Sequence, residues 1–467
     1  MTSDMTDDES GATSASASPP RDLIPFRAAV RAWFAISWQT FGGPAGQIAV
    51  MQRTLVDEKR WIGQGRFLHA LNYCMLLPGP EAQQLAVYTG WLLNGWRGGL
   101  VAGGLFVLPG MIALLVLSAI YVAFGETTVV SAVFAGLAPA VLAIVVQAVL
   151  RVGKRALRSP ALVVLAVAAF VALTFFAVPF PLVVLGAGVI GWLVHRCAPA
   201  WIATTPRSDQ ADGPAPLIPD DALHTEKPSG RRALRVLVLG LLAWSLPVLA
   251  VALLTGVDSV FTQQGLFFSG SALVTFGGAY AVLAYVAQQA VQTYAWVTPG
   301  EMTRGLALAE TTPGPLIMVV QFVAFLGAYR NPGDLDPWAA AVLGALLTTW
   351  VTFVPSFLFI FLGAPYVERL RGNKTLSSAL TAITAAVVGV IANLALYFTT
   401  HTLFATSNPW TAGPLSFDVP DLTTIQPAAL GIAVVAALLL FVVRWSVLRT
   451  LGVCALLGLA LGLAGLL

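Results

Sequence analysis

Phe41-Gly42-Gly43 recurs as Phe276-Gly277-Gly278, Trp61 recurs as Trp296, and Pro78-Gly79-Pro80 recurs as Pro313-Gly314-Pro315, each pair 235 residues apart. Three matches in one register, without a gap over about 40 positions, mark an internal duplication. Pro109 and Pro355 continue the match after a shift that an insertion around Asn331-Pro332-Gly333-Asp334 accounts for. The chain must therefore fold as two related units.

The solvent of those units follows from composition. Hydrophobic residues make up 57% of the 467 positions and charged residues only 10%, with a mean hydropathy of +0.81. A soluble domain carries about 25% charged residues. So apolar a chain has too little polar surface for water, and its length allows many membrane spans. The expected fold is an all-α polytopic membrane protein with two homologous halves.

Four apolar segments are interrupted by Gly or Pro near their middle: about 26–58 at Phe41-Gly42-Gly43-Pro44, 64–95 at Pro78-Gly79-Pro80, 261–294 at Phe276-Gly277-Gly278, and 299–329 at Pro313-Gly314-Pro315. Each flank is shorter than the ~20 residues a full span needs. Unbroken spans are expected at 97–124, 126–150, 160–177, 180–197, 233–256, 338–363, 375–399, 427–444 and 447–467. The organisation read from this is a disordered cytosolic tail (1–22), a first membrane domain (23–197), a polar cytosolic linker (198–232), a connecting transmembrane helix (233–256) and a second membrane domain (257–467). Each half then has two broken-helix hairpins followed by four transmembrane helices. The first 20 residues are acidic, Ser-rich and lack an apolar core, unlike a signal peptide.

Positive charge marks the cytosolic side. With the tail inside, Arg27, Arg31, Arg53, Lys59, Arg60, Arg66 and Arg97 share one side only if each broken segment enters and returns as a hairpin. Arg151, Lys154, Arg155, Arg158, Arg196 and the linker then also fall inside. The single span 233–256 reverses the sense, so the second pair of hairpins enters from outside, where only Arg304 and Arg330 are basic. On this count 23 of the 25 Lys and Arg residues are cytosolic, and the halves are expected to have inverted topology. The expected location is the plasma (inner) membrane, N-terminus inside.

Breaks within lipid persist where the freed backbone faces protein, water or substrate. A half-helix that starts at a break points N–H groups and its positive dipole end toward the midplane, and four such ends make an anion site. Gly42, Gly43, Gly79, Gly277, Gly278 and Gly314 allow the close approach and unusual dihedrals required, while Pro44, Pro80 and Pro315 suit a first helical turn. The same residues also serve simple kinks. Glu81, just after the second break, is a costly carboxylate at membrane depth. Beside an anion it suits proton exchange, or it satisfies helix N–H groups. Gln83 and Gln84 can donate to oxyanion oxygens or bond between helices. Leu316 replaces Glu81 in the second half, where Glu310 instead precedes the break and is a second proton-coupling candidate. Arg304, His69, Ser37, Gln39 and Gln47 are weaker candidates.

The segments FGGPAGQIAVMQRTLVDEKRWI, LNYCMLLPGPEAQQLAVYTGW and GGLFVLPG, with LVTFGGAYAVLAYV and LAETTPGPLIMVVQFVAFLG in the second half, resemble the chromate ion transporter family in its long-chain, two-domain form. The resemblance spans most of 26–400. It implies chromate efflux driven by the proton gradient, chromate resistance, and sulfate as a related oxyanion; it assigns no residue roles. The expected partners are chromate, sulfate, protons and lipid, without nucleic acid; the sequence leaves oligomeric state open, a homodimer included. No cofactor or metal is expected, since Cys74, Cys197 and Cys454 are scattered and only four His are present. That poverty of ligands disfavours the rival reading of a membrane chromate reductase. An anion channel is the remaining rival. No GxxxxGK[ST] motif supports an ATP-driven pump.

Overall fold

A backbone that crosses lipid must pair its polar groups internally, and helices do so locally. We describe a computed structural model of the chain that covers residues 24–197, 215–218, 223, 229–276, 278–366, 374–413 and 415–466. The tail read at 1–22, most of the linker, and Gly277 lie outside the described residues.

The two expected breaks of the first half separate α1 (Phe26–Ser37) from α2 (Gly43–Gln52, extended by a π-turn, Arg53–Glu58) and α3 (Gln64–Cys74) from α4 (Glu81–Phe124). α4 folds back on itself at Asn94 and Gly95, where Gly95 takes φ 59° and ψ −154°. The two limbs pack closely because glycines face each other: a Cβ on Gly90 would lie 2.5 Å from the Gly98 carbonyl oxygen. Then follow α5 (Thr128–Ala156), α6 (Pro160–Phe176) and α7 (Phe180–Cys197). The connecting helix is α8 (Gly230–Thr255).

The second half repeats the plan. α9 (Val260–Leu273) and α10 (Ala279–Gln288, with a π-turn, Gln289–Thr293) flank the third break. α11 (Pro299–Thr311) and α12 (Val319–Arg330, entered through a 3₁₀ turn, Leu316–Met318) flank the fourth. α13 (Pro337–Gly363), α14 (Lys374–Leu403), α15 (Pro427–Ala437, with a π-turn, Leu438–Val442) and α16 (Val447–Leu463) complete the chain. Within the expected long loop before α15, β1 (Ser407–Ala412) and β2 (Leu415–Pro420) pair antiparallel, Trp410 opposite Phe417. That hairpin adds a small β element to the expected all-helical fold.

One turn design recurs three times. A π-turn leads to a left-handed residue, Arg60 (φ 52°), Ala295 (φ 51°) or Arg444 (φ 60°). The next residue is Trp in each case, and its N–H reaches back to Leu55, Ala290 or Leu439 at 2.8, 2.8 and 2.9 Å. This satisfies helix-end carbonyls without water.

Contacts sort these turns between two ends of the helix bundle. At one end Asn94 Nδ2 donates to Ile24 O at 2.8 Å, Leu217 N–H of the linker donates to Arg60 O at 2.7 Å, and Arg232 Nη1 donates to Phe361 O at 3.3 Å. At the other end of α4, Tyr121 Oη donates to Glu301 Oε1 at 3.3 Å and accepts from Arg304 Nη1 at 3.1 Å. Glu301 also holds Arg330, whose Nη2 donates to Oε1 at 2.5 Å and whose Nη1 reaches Glu301 Oε2 at 2.9 Å and Trp296 O at 3.1 Å. Arg304 and Arg330 are therefore fixed in a network rather than free at the surface.

The halves interlock. α6 and α7 of the first half pack on α14 of the second, while α15 and α16 pack on α5. Small residues permit it: Gly191 of α7 sits against Ala379 and Ala382, and Gly458 of α16 against Ala132 and Gly136. α5 and α13 bury 61% of their apolar windows, whereas α8 buries 6% and is peripheral. α8 is nonetheless tied to α13 by two reciprocal bonds. Pro355 cannot donate to Val351 O, and Pro247 cannot donate to Ala243 O. Trp244 Nε1 donates to Val351 O at 3.1 Å, and Trp350 Nε1 to Ala243 O at 2.7 Å. Among the described residues, six helices are long and apolar enough to cross a membrane.

Candidate functional site

The four breaks meet across the two halves. Gly79 N–H of the second break donates to Thr275 O of the third at 2.8 Å, and Gly314 N–H of the fourth donates to Thr40 O of the first at 3.0 Å. Thr40 and Thr275, like Gly79 and Gly314, stand 235 residues apart. The duplication is thus expressed as two equivalent backbone bonds, each joining one half to the other. The second and fourth breaks also rest on the other half's proline-bearing helix. A Cβ on Gly110, after Pro109, would lie 2.5 Å from Pro313 O; a Cβ on Gly79 would lie 2.9 Å from Ser356 Oγ, after Pro355.

The breaks need their glycines. Gly42, Gly43, Gly79, Gly278 and Gly314 have φ of 80°, 72°, 124°, 104° and 102°, a region that side chains with a Cβ rarely enter. Pro44 lies in the first turn of α2 as expected. Pro80 and Pro315 instead precede the helix as N-cap residues in extended conformation. They hold the entering strand away from the helix axis.

None of the four helices that start at a break has a side-chain cap. Elsewhere α6, α9, α11 and α13 are capped by Ser159, Ser259, Thr298 and Asp336, while α1, α3, α5, α8, α15 and α16 likewise lack a side-chain cap. The backbone N–H groups of Glu81, Ala82 and Gln83 find no acceptor among the described residues. Such bare helix starts favour an anion.

Side chains complete the region unequally. Gln47 Nε2 donates to Gly314 O at 2.6 Å and Gln84 Nε2 to Pro78 O at 2.7 Å, so these two amides brace the breaks. Gln83 is fully buried, yet neither its Nε2 nor its Oε1 has a partner among the described residues; the same holds for Gln84 Oε1. Glu81 is half-buried and makes no hydrogen bond with a described residue, while the Arg155 guanidinium lies within electrostatic reach. Glu310 is buried and accepts from Tyr280 Oη at 2.5 Å, with Arg151 within electrostatic reach.

Ser37 and Gln39 are not part of this assembly: Ser37 Oγ bonds Phe34 O, and Gln39 turns outward to Arg53 Nη2 at 2.9 Å. Sequence reasoning missed Thr40, Thr275, Tyr280 and Ser356, and read Arg151 and Arg155 only as topology markers. The strict spacing of the threonines was the one signal that could have found them.

Residues 28–192 and 262–461 each match the family model described as Chromate transporter. A chromate transport protein of Pseudomonas aeruginosa is 30% identical over 464 residues, covering 97% of this chain and 94% of that protein. A chromate transport protein of Cupriavidus metallidurans is 28% identical, covering 75% and 77%. An uncharacterized transporter of Methanocaldococcus jannaschii is 24% identical, covering 77% and 80%. No solved structure gives a significant match.

Proposed function

Since the chain belongs to the chromate transporter family, we propose that it is a secondary transporter that carries chromate out of the cytoplasm in exchange for protons and so confers chromate resistance. The observation that supports this reading is the reciprocal pair Gly79–Thr275 and Gly314–Thr40, which joins the second break to the third and the fourth to the first, each across the two halves. A tetrahedral dianion suits bare N–H groups at helix starts, because charge-assisted bonds to backbone donors need no buried cation. Gly42, Gly43, Gly79, Gly278 and Gly314 shape the site, Gln83 donates to oxyanion oxygens while Gln84 Nε2 braces the second break through Pro78 O, and Glu81 and Glu310 exchange the coupled protons.

Opposite insertion of the halves fits the contacts. The turns at Arg60 and Asn94 approach Leu217 and Ile24, whereas their equivalents near Trp296 and Arg330 approach Tyr121, at the far end of the α4 limb. We read the domains as 23–197 and 257–467, with a linker at 198–232 and a connecting helix at 233–256. With Ile24 and Arg60 cytoplasmic in the inner membrane, the cytoplasmic end carries exposed Arg27, Arg31, Arg53, Arg60, Arg97, Lys154, Arg155, Arg158, Arg196 and Arg231 against exposed Asp57 and Glu58. The opposite end carries exposed Glu126, Asp258, Asp334, Asp336 and Asp418 against Arg330, which is paired with Glu301. That polarity collects a dianion inside and disfavours its return from outside.

The test is uptake of radiolabelled chromate into inverted membrane vesicles with an imposed pH gradient, with and without a protonophore, and with sulfate in parallel. We expect chromate uptake that collapses with the gradient, and Glu81→Gln to abolish the gradient-driven part. Sulfate as the preferred anion would make this an oxyanion transporter of broader use. Uptake insensitive to the protonophore, with Glu81→Gln unchanged, would overturn the coupling.

A further inference from the structure

Hydroxyls on membrane helices ordinarily bond back to the carbonyl four residues earlier, which hides them from the apolar surroundings. Here Thr89, Ser118, Ser245, Ser271, Thr349 and Thr352 all do so, at 2.6–2.9 Å. Thr348 and Ser356, both on α13, do not: they are 0% and 1% exposed, and neither hydroxyl has a partner among the described residues. Of the two, Ser356 lies against Gly79. A buried hydroxyl left unbonded has given up its water without a replacement, so its orientation calls for a reason.

The hydroxyl faces the second break. It lies 2.9 Å from where a Cβ on Gly79 would stand, and Gln84 Nε2 lies 2.7 Å from that same point. Ser356 and Gln84 thus approach one spot from opposite halves, beside the uncapped start of α4. The duplication makes the position informative. Pro109-Gly110 of the first half corresponds to Pro355-Ser356 of the second, and Gly110 abuts the fourth break with no side chain at all. The donor exists on one side of the pseudo-symmetric site only, as expected where one asymmetric load of charge and protons is handled.

We infer that Ser356, contributed by the second half, is a specificity-determining residue of the oxyanion site, its hydroxyl donating to a substrate oxygen held at the Gly79 break. This rests on the transport reading above. It adds to the backbone amides a neutral donor with no competing internal bond, so its full hydrogen-bonding capacity is available to the substrate.

The test uses purified full-length protein in proteoliposomes, with initial chromate transport rates at varied chromate and with sulfate and molybdate as competitors. Ser356→Ala should raise the KM for chromate about tenfold, with kcat changed by less than about threefold, and should alter the ranking of the competitors. Ser356→Thr, which keeps the hydroxyl, should recover most of the affinity. The melting temperature of Ser356→Ala in detergent should not fall, because no internal bond is lost. An unchanged KM with unchanged competitor ranking would overturn the inference, as would a melting temperature of Ser356→Ala lowered by several degrees with KM not recovered by Ser356→Thr. If the wild-type protein itself moved no chromate, sulfate or molybdate, the transport reading would fail first, and that result is distinct from both.

Discussion

Gly79 meets three demands at once. Its φ of 124° lies where a Cβ is strained, its missing side chain leaves room for Gln84 Nε2 and Ser356 Oγ, and its N–H bonds Thr275 O. Gly278 meets only the first: its φ is 104°, but nothing lies within 4 Å of a built Cβ. Strain of this kind costs roughly 1–3 kcal/mol, so Gly278→Ala should lower transport modestly. Gly79→Val adds a collision between the halves and should reduce chromate transport more than tenfold while the protein still inserts. Equal losses for the two variants, measured as initial rates normalised to protein in the membrane, would show that space at Gly79 is irrelevant. The glycines are legible in the sequence because the repeat exposes them. Thr40 and Thr275 share the repeat spacing, but their role is not legible, since they act through carbonyl oxygens that every residue has. Ser356 is hidden because its neighbour Gly79 is far away in sequence.

Among the elements, prolines explain how the peripheral α8 is held. Pro247 and Pro355 each strand a carbonyl of their own helix, and each carbonyl is taken by a Trp indole of the other helix, Trp350 and Trp244. Interhelical bonds in membranes are worth about 0.6–2 kcal/mol. Trp350→Phe should therefore lower the melting temperature in detergent by a few degrees. Adding Pro247→Ala should restore most of it, because an alanine at that position supplies the N–H that Ala243 O needs. If the double variant is less stable than Trp350→Phe alone, the indole bond is not what matters there. The broken helices themselves can be read from Gly and Pro in apolar runs, and so can nearly every unbroken span. The π-turns before Arg60, Ala295 and Arg444 cannot, because they follow from where a helix end must meet its neighbour. The hairpin of β1 and β2 reads as loop in the sequence, being short, rich in Pro and Gly, and packed through Phe417 on Phe175 of α6.

At the scale of the molecule, two related halves interlock through α5 and α14 and join at their breaks through Gly79–Thr275 and Gly314–Thr40. Charge counting alone leads to opposite insertion, and it does so because only a returning hairpin keeps Lys59, Arg60 and Arg66 with the linker. What charge cannot supply is the way the halves cross, each placing its last two helices on the other's long helix. Alternating access would then be a rocking of one half against the other around breaks that stay joined. Glu58 and Thr293 are exposed, equivalent positions at the tips of the first and third broken segments. In a protein with Cys74, Cys197 and Cys454 replaced, a membrane-impermeant maleimide should label Glu58→Cys only in inverted vesicles and Thr293→Cys only in right-side-out vesicles. Labelling of both from the same side would mean that the halves thread the membrane in one sense, and the paired site between them would lose its basis.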